Sequence, residues 1–230
     1  MVERDVKSRR YDNGARTEQA RLLRQKVIDA AHQALLENGW SGTTIAAVAA
    51  RAGVSPETVY KRFSGKAGLL KAVYDVRMAG DDEPIPIVDR PAIRAMLAEP
   101  DPRRIAERYA ALARELIERA GPLVSVLLGV RDADPELAAF MATTDAERLV
   151  GAAGFVHTMA SRTTLRVDPE QARDIVWTLI SPELYDLLVT RRSWSLDAYQ
   201  DWLARALLEA LVESGPAGSS SGRRPEGRAP

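Results

Sequence analysis

The chain lacks cysteine entirely and has only two histidines among its 230 residues. The absence of cysteine excludes disulfides, thiolate metal sites and cysteine nucleophiles, and it is typical of proteins kept in a reducing compartment. We therefore expect a cytoplasmic protein. Because thiol and imidazole ligands are so few, we expect neither a structural metal site nor a cofactor.

Long apolar runs are also missing. The first nineteen residues, MVERDVKSRRYDNGARTEQ, are polar and charged, and no later stretch approaches the roughly 18 apolar residues that a membrane span needs. We predict neither an export signal nor a membrane partner. The apolar fraction of 46% is still ample for a packed core in one large domain or two small ones.

The chain has no net charge, but its charges are unevenly distributed. Residues 1–66 carry twelve Lys or Arg against seven Asp or Glu, a net charge of +5. Residues 67–213 carry a net charge of −7 and residues 214–230 a net charge of +2. A basic N-terminal part on an acidic body indicates that only the N-terminal part meets a polyanion.

The sequence also lacks the alternating apolar and polar runs and the Asn-Gly hairpins of β-strands, so the predicted fold class is all-α. From Thr17, apolar residues recur at helical spacing up to a stop signal at Asn38-Gly39. Three shorter helices follow before DDEPIPIVDRP. Five more are predicted near 102–119, 121–131, 135–161, 169–191 and 195–213, giving about nine helices. Pro182 should kink or restart the fourth of these five.

Residues 44–63, TIAAVAARAGVSPETVYKRF, combine two short helical patterns with a glycine turn between them. Ser55 can cap the second helix, and a proline follows it at the first helical position. Gly53 can adopt the left-handed conformation that the turn needs, and the small Ala49 lets the two helices cross closely. The pattern predicts a helix-turn-helix whose second helix, 56–63, is about as wide as the major groove of B-DNA.

The second helix should turn Val59 and Phe63 inward and its polar residues outward, at about 100° per residue. Glu57 could accept a hydrogen bond from cytosine, and Lys61 could reach guanine or the phosphate backbone. Thr58 could touch a thymine methyl or a phosphate. The outward face is therefore the candidate for reading DNA sequence.

Tyr60 suits a phosphate at the wall of the groove, and Thr44 and Lys66 lie where helix N-termini would meet phosphates. For Arg62, a salt bridge and a phosphate contact are equally open. The predicted DNA-binding residues are Thr44, Ser55, Glu57, Thr58, Tyr60, Lys61 and Lys66.

Residues 20–80 resemble the DNA-binding domain of the tetracycline repressor (TetR) family of transcription regulators. The matching residues are Asn38-Gly39-Trp40, Thr43-Thr44-Ile45, Ala49, Ala52-Gly53-Val54-Ser55, Thr58-Val59-Tyr60, Phe63, Lys66 and Leu69-Leu70. The resemblance implies phosphate contacts for Thr44, Tyr60 and Lys66 and base reading for residues 55–61. The sequence departs from the family at Gly65 and Gly68, which should loosen the start of the fourth helix.

The predicted domains follow from these patterns. They are a disordered basic arm (1–16), a TetR-type DNA-binding domain (17–80), a linker (81–101), a helical regulatory and dimerisation domain (102–213) and a disordered tail (214–230). In the family that this chain resembles, the last large domain varies, dimerises and often encloses a small ligand.

Apolar stripes on the last two helices predict dimer contact, with closure of the chain's own core as the alternative. The candidate interface residues are Leu184, Leu187, Leu188, Tyr199, Trp202, Leu203 and Leu207. The candidate pocket residues are large or polar-tipped groups on the middle helices: Tyr109, Leu112, Leu116, Leu127, Phe140, Phe155, His157, Trp177 and Tyr185.

The expected function is a homodimeric repressor that binds a palindromic operator in double-stranded DNA and is released by a small-molecule effector. No nucleophile elbow, phosphate-binding glycine loop, zinc-binding pair or dinucleotide fingerprint is present, so we do not expect an enzyme. The alternative is a protein-binding adaptor that keeps the helix-turn-helix only as a scaffold. Steep salt dependence of DNA binding would separate a regulator from an adaptor.

Overall fold

The computed structural model of the chain describes residues 3–132 and 134–213, with side chains from Arg16 onwards. Within these residues it has ten α-helices: α1 (Glu3–Gly42), α2 (Ile45–Ala52), α3 (Pro56–Phe63), α4 (Lys66–Ala79), α5 (Pro91–Leu97), α6 (Pro102–Leu128), α7 (Pro135–Ala160), α8 (Pro169–Leu179), α9 (Pro182–Tyr185) and α10 (Leu196–Leu211). The described residues form no strand beyond one isolated bridge between Leu165 and Val212. The all-α prediction, with an N-terminal helix-turn-helix and a larger C-terminal helical part, is confirmed.

Most helices after α2 begin with the same local device, a polar cap followed by proline. The side chains of Asp101, Asp134, Asp168 and Ser181 accept hydrogen bonds from backbone N–H groups in the first turns of α6, α7, α8 and α9. Proline at the first helical position costs no hydrogen bond there. These signals are local in sequence, so the starts of these helices could be predicted from sequence alone.

The first helix is longer than predicted. Its backbone is helical from Glu3, where the sequence predicted a disordered arm over residues 1–16. This stretch contains no proline, and extending a formed helix adds a hydrogen bond for each residue fixed. At the other end, Gly39 has a left-handed φ of 66°, so the regular helix stops where the Asn38-Gly39 signal predicted. Residues 1–2, Ala133 and the predicted disordered tail, 214–230, lie outside the described residues.

The predicted break at Gly121-Pro122 is wrong, because α6 runs unbroken through both residues. A proline inside a helix costs about 3 kcal/mol, whereas burial of Leu123 and Leu127, both completely buried, contributes about 1.5–3 kcal/mol each. Gly121 also leaves room for Tyr185, whose ring would lie 3.4 Å from an added Cβ. Packing on both sides therefore keeps the helix intact.

The segment predicted as a linker, 81–101, includes some regular structure. It contains a short 3-10 turn at Ile87–Asp89 and the helix α5, which buries Met96 against the C-terminal core. The helix between Pro182 and Arg191 restarts at Pro182 as predicted and continues as a π-helical segment, Asp186–Arg191. The described residues have ten helices instead of about nine because α5 was not predicted and α9 is separate from α8, whereas two predicted helices are joined in α6.

Two hydrophobic cores organise the molecule. The first joins α1 to α4 with the C-terminal end of α6 and the N-terminal half of α7, and the second joins α5, α8 and α10 with the other halves of α6 and α7. Leu127, Leu137 and Phe140 belong to the first core although they come from the predicted regulatory domain. The N-terminal part and the C-terminal part are therefore packed together and share two long helices.

The last helix packs inside its own chain. Tyr199, Leu203 and Leu207 are 2%, 0% and 0% exposed, in contact with α6 and α8. The prediction that these three residues form a dimer interface is wrong, and the alternative of core closure holds for them. Their burial follows from the length of α6, which supplies a complete apolar face opposite α10.

Across the described residues, every helix is too short or too polar to cross a lipid bilayer.

Candidate nucleic-acid interface

The turn between α2 and α3 has the geometry of a helix-turn-helix. Gly53 adopts φ 69° and ψ 36°, and Val54 N–H donates to the Ala49 carbonyl at 3.0 Å. These features close α2 with a left-handed cap that favours glycine. Val48, Ala49 and Val59 fill the angle between the helices, each at most 1% exposed.

Both helices of the motif have side-chain caps at their N-termini. The Thr44 hydroxyl accepts from Ala47 N–H at 3.1 Å, and the Ser55 hydroxyl accepts from Thr58 N–H at 3.3 Å. The hydroxyls of Ser55 and Thr58 also lie 3.1 Å apart. Thr44 and Ser55 remain on the surface, so each can cap its helix and still meet a phosphate.

The recognition helix α3 is divided into a buried side and an exposed side. Val59 is completely buried and Phe63 is 5% exposed, whereas Tyr60 is 57% exposed. Glu57 and Lys61 are also exposed, and Thr58 is half-buried. Most of the Tyr60 side chain is therefore accessible on the same face as Glu57 and Lys61.

Glu57 carries a stabilised negative charge on this face. Hydrogen bonding by the Ser55 hydroxyl, followed by the residue's own backbone N–H, lowers the pKa of the Glu57 carboxyl. A carboxylate next to phosphates is repelled unless it accepts a hydrogen bond, and cytosine N4 is the base donor that suits it. The exposed side of α3 therefore carries a negative charge at Glu57.

Lys66 has partners within the chain that sequence reasoning missed. Its ammonium donates to the Trp40 carbonyl and lies 4.0 Å from the centroid of the Trp40 ring. Burial lowers the pKa of Lys66, and nearby Asp134 and Glu136 act in the opposite direction. A phosphate contact by Lys66 would require it to leave the Trp40 carbonyl.

The two glycines at the start of α4 do not loosen it. A Cβ on Gly68 would lie 1.8 Å from the Phe63 carbonyl oxygen, and Gly65 has a left-handed φ of 110°. The expectation of a loose start is wrong, because these glycines allow α4 to pack directly against the end of α3. Fixed in this way, α4 supports the recognition helix.

Arginines on α1 and α3 also hold the recognition helix. Arg62 donates to the Ala20 carbonyl of α1 at 3.3 Å, which is neither of the roles considered from sequence. Arg24 of α1 lies 5.2 Å from the centroid of the Phe63 ring. Both contacts join residues about forty positions apart, and no local pattern in the sequence indicates them.

Side chains from the C-terminal part hold α4 at several points. Arg119 of α6 donates to the carbonyls of Arg77 and Met78, both at 3.1 Å, in the last turn of α4. Lys71 of α4 lies 3.2 Å from Glu147 of α7. The rings of Tyr74 and Phe140 meet edge to face at 5.4 Å. A displacement of α6 or α7 would therefore reach α4 and, through it, α3.

The predicted pocket residues do not gather around one space. Tyr109 and Phe155 stack in the second core with centroids 4.1 Å apart, whereas Leu127 and Phe140 belong to the first core. Four others are only half-buried: Leu112, Leu116, Trp177 and Tyr185.

His157 is exposed on α7, so its prediction as a pocket residue is wrong. The helical period turns His157 to solvent because its neighbours Phe155, Val156 and Met159 occupy the buried side.

A cavity of about 30 Å³ lies where α4, α6, α7 and α9 meet. Its lining includes Tyr74 of α4, Phe140, Thr144 and Arg148 of α7, and Glu183 of α9. Burial raises the pKa of Tyr74 to about 12. The volume is enough for one or two water molecules and well below the roughly 300 Å³ of a typical small-molecule site.

The comparisons with known proteins agree with this geometry. Residues 27–73 match the family model described as bacterial regulatory proteins, tetR family. The chain is 29% identical over 167 residues to the uncharacterized HTH-type transcriptional regulator YdeS of Bacillus subtilis, covering 71% of this chain and 77% of YdeS. It is 41% identical over 58 residues to the HTH-type transcriptional regulator AlkX of Mycobacterium tuberculosis, covering 25% of this chain and 27% of AlkX.

The fold is shared with solved regulators. The structure of the transcriptional regulator FadR from Bacillus subtilis in complex with stearoyl-CoA superposes with a TM-score of 0.63 at 17% identity, covering 81% of this chain and 98% of FadR. The matched family model spans α2, α3 and most of α4, so it includes the exposed face of the recognition helix. The relatives are transcriptional regulators and not enzymes. Over residues 27–73, the chain therefore matches the TetR family of DNA-binding transcriptional regulators.

Proposed function

We propose that the protein is a homodimeric repressor that binds an inverted-repeat operator through α3 and is released by a small molecule bound in its C-terminal part. It would act in the cytoplasm, where its DNA target is. The observation that carries the proposal is the division of α3, with Val59 and Phe63 buried and Tyr60, Glu57 and Lys61 exposed on one face.

Within the proposal, the exposed residues divide by chemistry. Glu57 and Lys61 discriminate between bases, because a carboxylate and an ammonium match different groups in the major groove. Tyr60, Thr44 and Ser55 contact phosphates, which position the helix but carry no sequence information. Thr58 has its hydroxyl engaged by Ser55, so we assign it the contact with a thymine methyl. Lys66 makes at most a secondary phosphate contact.

Dimerisation is proposed because one eight-residue helix reads too few bases for a specific site, and two-fold symmetry doubles the readout. The residues left for the interface are Leu184, Leu187, Leu188 and Trp202, none of which is fully buried in the chain. Leu187 is 46% exposed. On the outer side of α10, a groove is lined by Trp194, Ala198, Asp201 and Arg205. Asp201 and Arg205 could pair reciprocally across a two-fold axis.

A small-molecule effector is proposed for the junction of α4, α6, α7 and α9. This position supports regulation because Tyr74 of α4 lines the cavity there. The solved structure of FadR with stearoyl-CoA supports the idea that this fold can accept a ligand. Because the cavity is small, a ligand would have to separate α4 from α7 as it binds, and this would change the distance between the two α3 helices of a dimer.

The decisive experiment is selection of bound sequences from random duplex DNA. We expect an inverted repeat whose half-site centres lie about 34 Å apart, one helical turn. A single unrepeated site would contradict the dimer, and no enrichment would contradict sequence-specific binding. Titration of the selected site against salt separates the adaptor alternative, because each phosphate that a Lys or Arg side chain neutralises makes the slope of log K against log salt steeper by about 0.9.

A further inference from the structure

Arg24, on α1, contacts two parts of the molecule that are separate in sequence. Its guanidinium lies 5.2 Å from the centroid of the Phe63 ring, at the last residue of the recognition helix. Its Nε also donates to both carboxylate oxygens of Asp82, at 3.1 and 2.9 Å. Asp82 lies just beyond the end of α4. One side chain thus joins the recognition helix to the segment that leaves the DNA-binding part.

The Arg24–Asp82 pair is better shielded from solvent than the nearby Arg94–Asp89 pair. The side chains are 35% and 14% exposed. In the nearby Arg94–Asp89 pair they are 67% and 47% exposed. Water and salt screen a partly buried pair less, so it holds its two partners in a more definite geometry.

Asp82 is in turn placed by contacts from the C-terminal part. Arg119 of α6 donates to the last-turn carbonyls of Arg77 and Met78. Arg90 donates to the Ala79 carbonyl at 3.1 Å and to both oxygens of Asp81 at 2.8 and 2.9 Å. Three consecutive carbonyls at the negative end of α4 are therefore held by guanidinium groups.

We propose that Arg24 and Asp82 are positioning residues for the recognition helix, which transmit the position of the α4 end to Phe63. The inference rests on the proposed function, in which α3 reads DNA. Neither residue needs to touch DNA for this role. The contacts form one continuous series from Arg119 through the α4 terminus to Asp82, Arg24 and Phe63, which is the kind of connection that can couple two parts of a protein.

The diagnostic variant is Asp82→Asn, measured for affinity to the selected inverted repeat and to a scrambled duplex of equal length. If Asp82 acted only through its charge, removing a carboxylate from the DNA-binding part would strengthen binding to both duplexes. A positioning role predicts the opposite sign for the repeat, with affinity about tenfold weaker, and little change for the scrambled duplex. Asp89→Asn is the matched control, with the same charge change in an exposed pair.

Two further variants complete the test. Arg24→Gln should weaken binding to the repeat. The Arg24→Gln/Asp82→Asn double variant should bind the repeat about as tightly as the single variant of lower affinity, because the effects of substituting two residues in contact do not add. If Asp82→Asn does not fold by circular dichroism, Arg24→Lys takes its place. It keeps the charge but loses the planar group that meets carboxylate and ring, so affinity for the repeat alone should fall.

The failures of the two proposals are distinguishable. If the wild-type protein does not prefer the repeat, the proposed function is wrong. If the wild type prefers the repeat and folded Asp82→Asn binds it as tightly or more tightly, or fully additive effects appear in the double variant, the positioning role is overturned. For Arg24→Lys, unchanged affinity for the repeat overturns it as well.

Discussion

Helices α3 and α10 have the same kind of amphipathic sequence but opposite surroundings. In α3, Val59 and Phe63 are buried while Tyr60 stays 57% exposed. In α10, Tyr199 lies within the apolar stripe and is 2% exposed, meeting the ring of Tyr185 edge to face at 5.6 Å. An apolar stripe in the sequence therefore shows which side of a helix is apolar, but it does not show which part of the protein packs against that side.

The reason lies in the length of the neighbouring elements. Among the described residues, α3 packs mainly against the short helices α2 and α4, with side-chain contacts to α1, and its outer side stays exposed. Helix α10 lies along α6, which is 27 residues long. Because α6 is long, it covers the whole apolar face of α10, and this face is buried in the chain's own core. Four experiments test this difference between α3 and α10.

The largest effect is expected for Leu203→Ala in α10. Removing a completely buried leucine side chain should lower the free energy of unfolding by about 2–5 kcal/mol, measured by urea unfolding. Val150→Ala is the control, because this side chain is 74% exposed and should change the value by only about 0.5 kcal/mol. If Leu203→Ala instead kept its stability and dissociated a dimer, the stripe would be an interface after all.

Gly68→Ala tests the support beneath α3. The added Cβ would lie 1.8 Å from the Phe63 carbonyl oxygen, so α4 must shift and the free energy of unfolding should fall by about 1–3 kcal/mol. Gly151→Ala is the matched control, since a Cβ at Gly151 in α7 meets nothing within 4 Å. Alanine there should stabilise by about 0.5–1 kcal/mol. Equal effects of the two substitutions would show that the contact between α3 and α4 is not tight.

Substitutions on the exposed face of α3 should leave unfolding unchanged and act only on DNA binding. Lys61→Ala should change the preference between operator sequences, and Tyr60→Phe should weaken all duplexes alike, because phosphate contacts carry no sequence information. Because Tyr60→Phe removes no charge, it should leave the slope of log K against log salt unchanged. Fluorescence anisotropy with three operator variants measures both effects. If neither variant changes binding, α3 does not face the groove.

The smallest effect is expected at the α4 terminus as pH falls. Arg90, followed by the Glu83 backbone N–H, lowers the pKa of the Asp81 carboxyl from 3.8 to about 2. The folded state therefore prefers the ionised form of Asp81. The contribution of this carboxylate to the free energy of unfolding is complete above pH 4 and is lost as pH falls towards 2. Acid unfolding of Asp81→Asn should show less pH dependence than the wild type in this window. A steeper dependence in the variant would contradict the assignment. Because the pair faces solvent, the effect should be small.

Much of the helix-turn-helix could be predicted from sequence because its signals are local. Gly53, Ser55 and the proline that follows act within four residues of one another, and the structure gives each the expected backbone role. The base-reading and phosphate roles on α3 stay predictions. The contacts of Lys66 with Trp40, and of Arg24 with Phe63 and Asp82, could not be predicted, because they join positions 26 to 58 residues apart.

By itself, the sequence determined the helical class, the side-chain caps of seven of the ten described helices and the polar outer side of α3, since each depends on the nearest few residues. Only the tertiary structure decided that α6 passes through Pro122, that α10 is an internal helix and that His157 faces solvent. These outcomes depend on which apolar faces meet. That choice is made by the packing of whole helices, where the burial of several side chains outweighs the preference of any single residue.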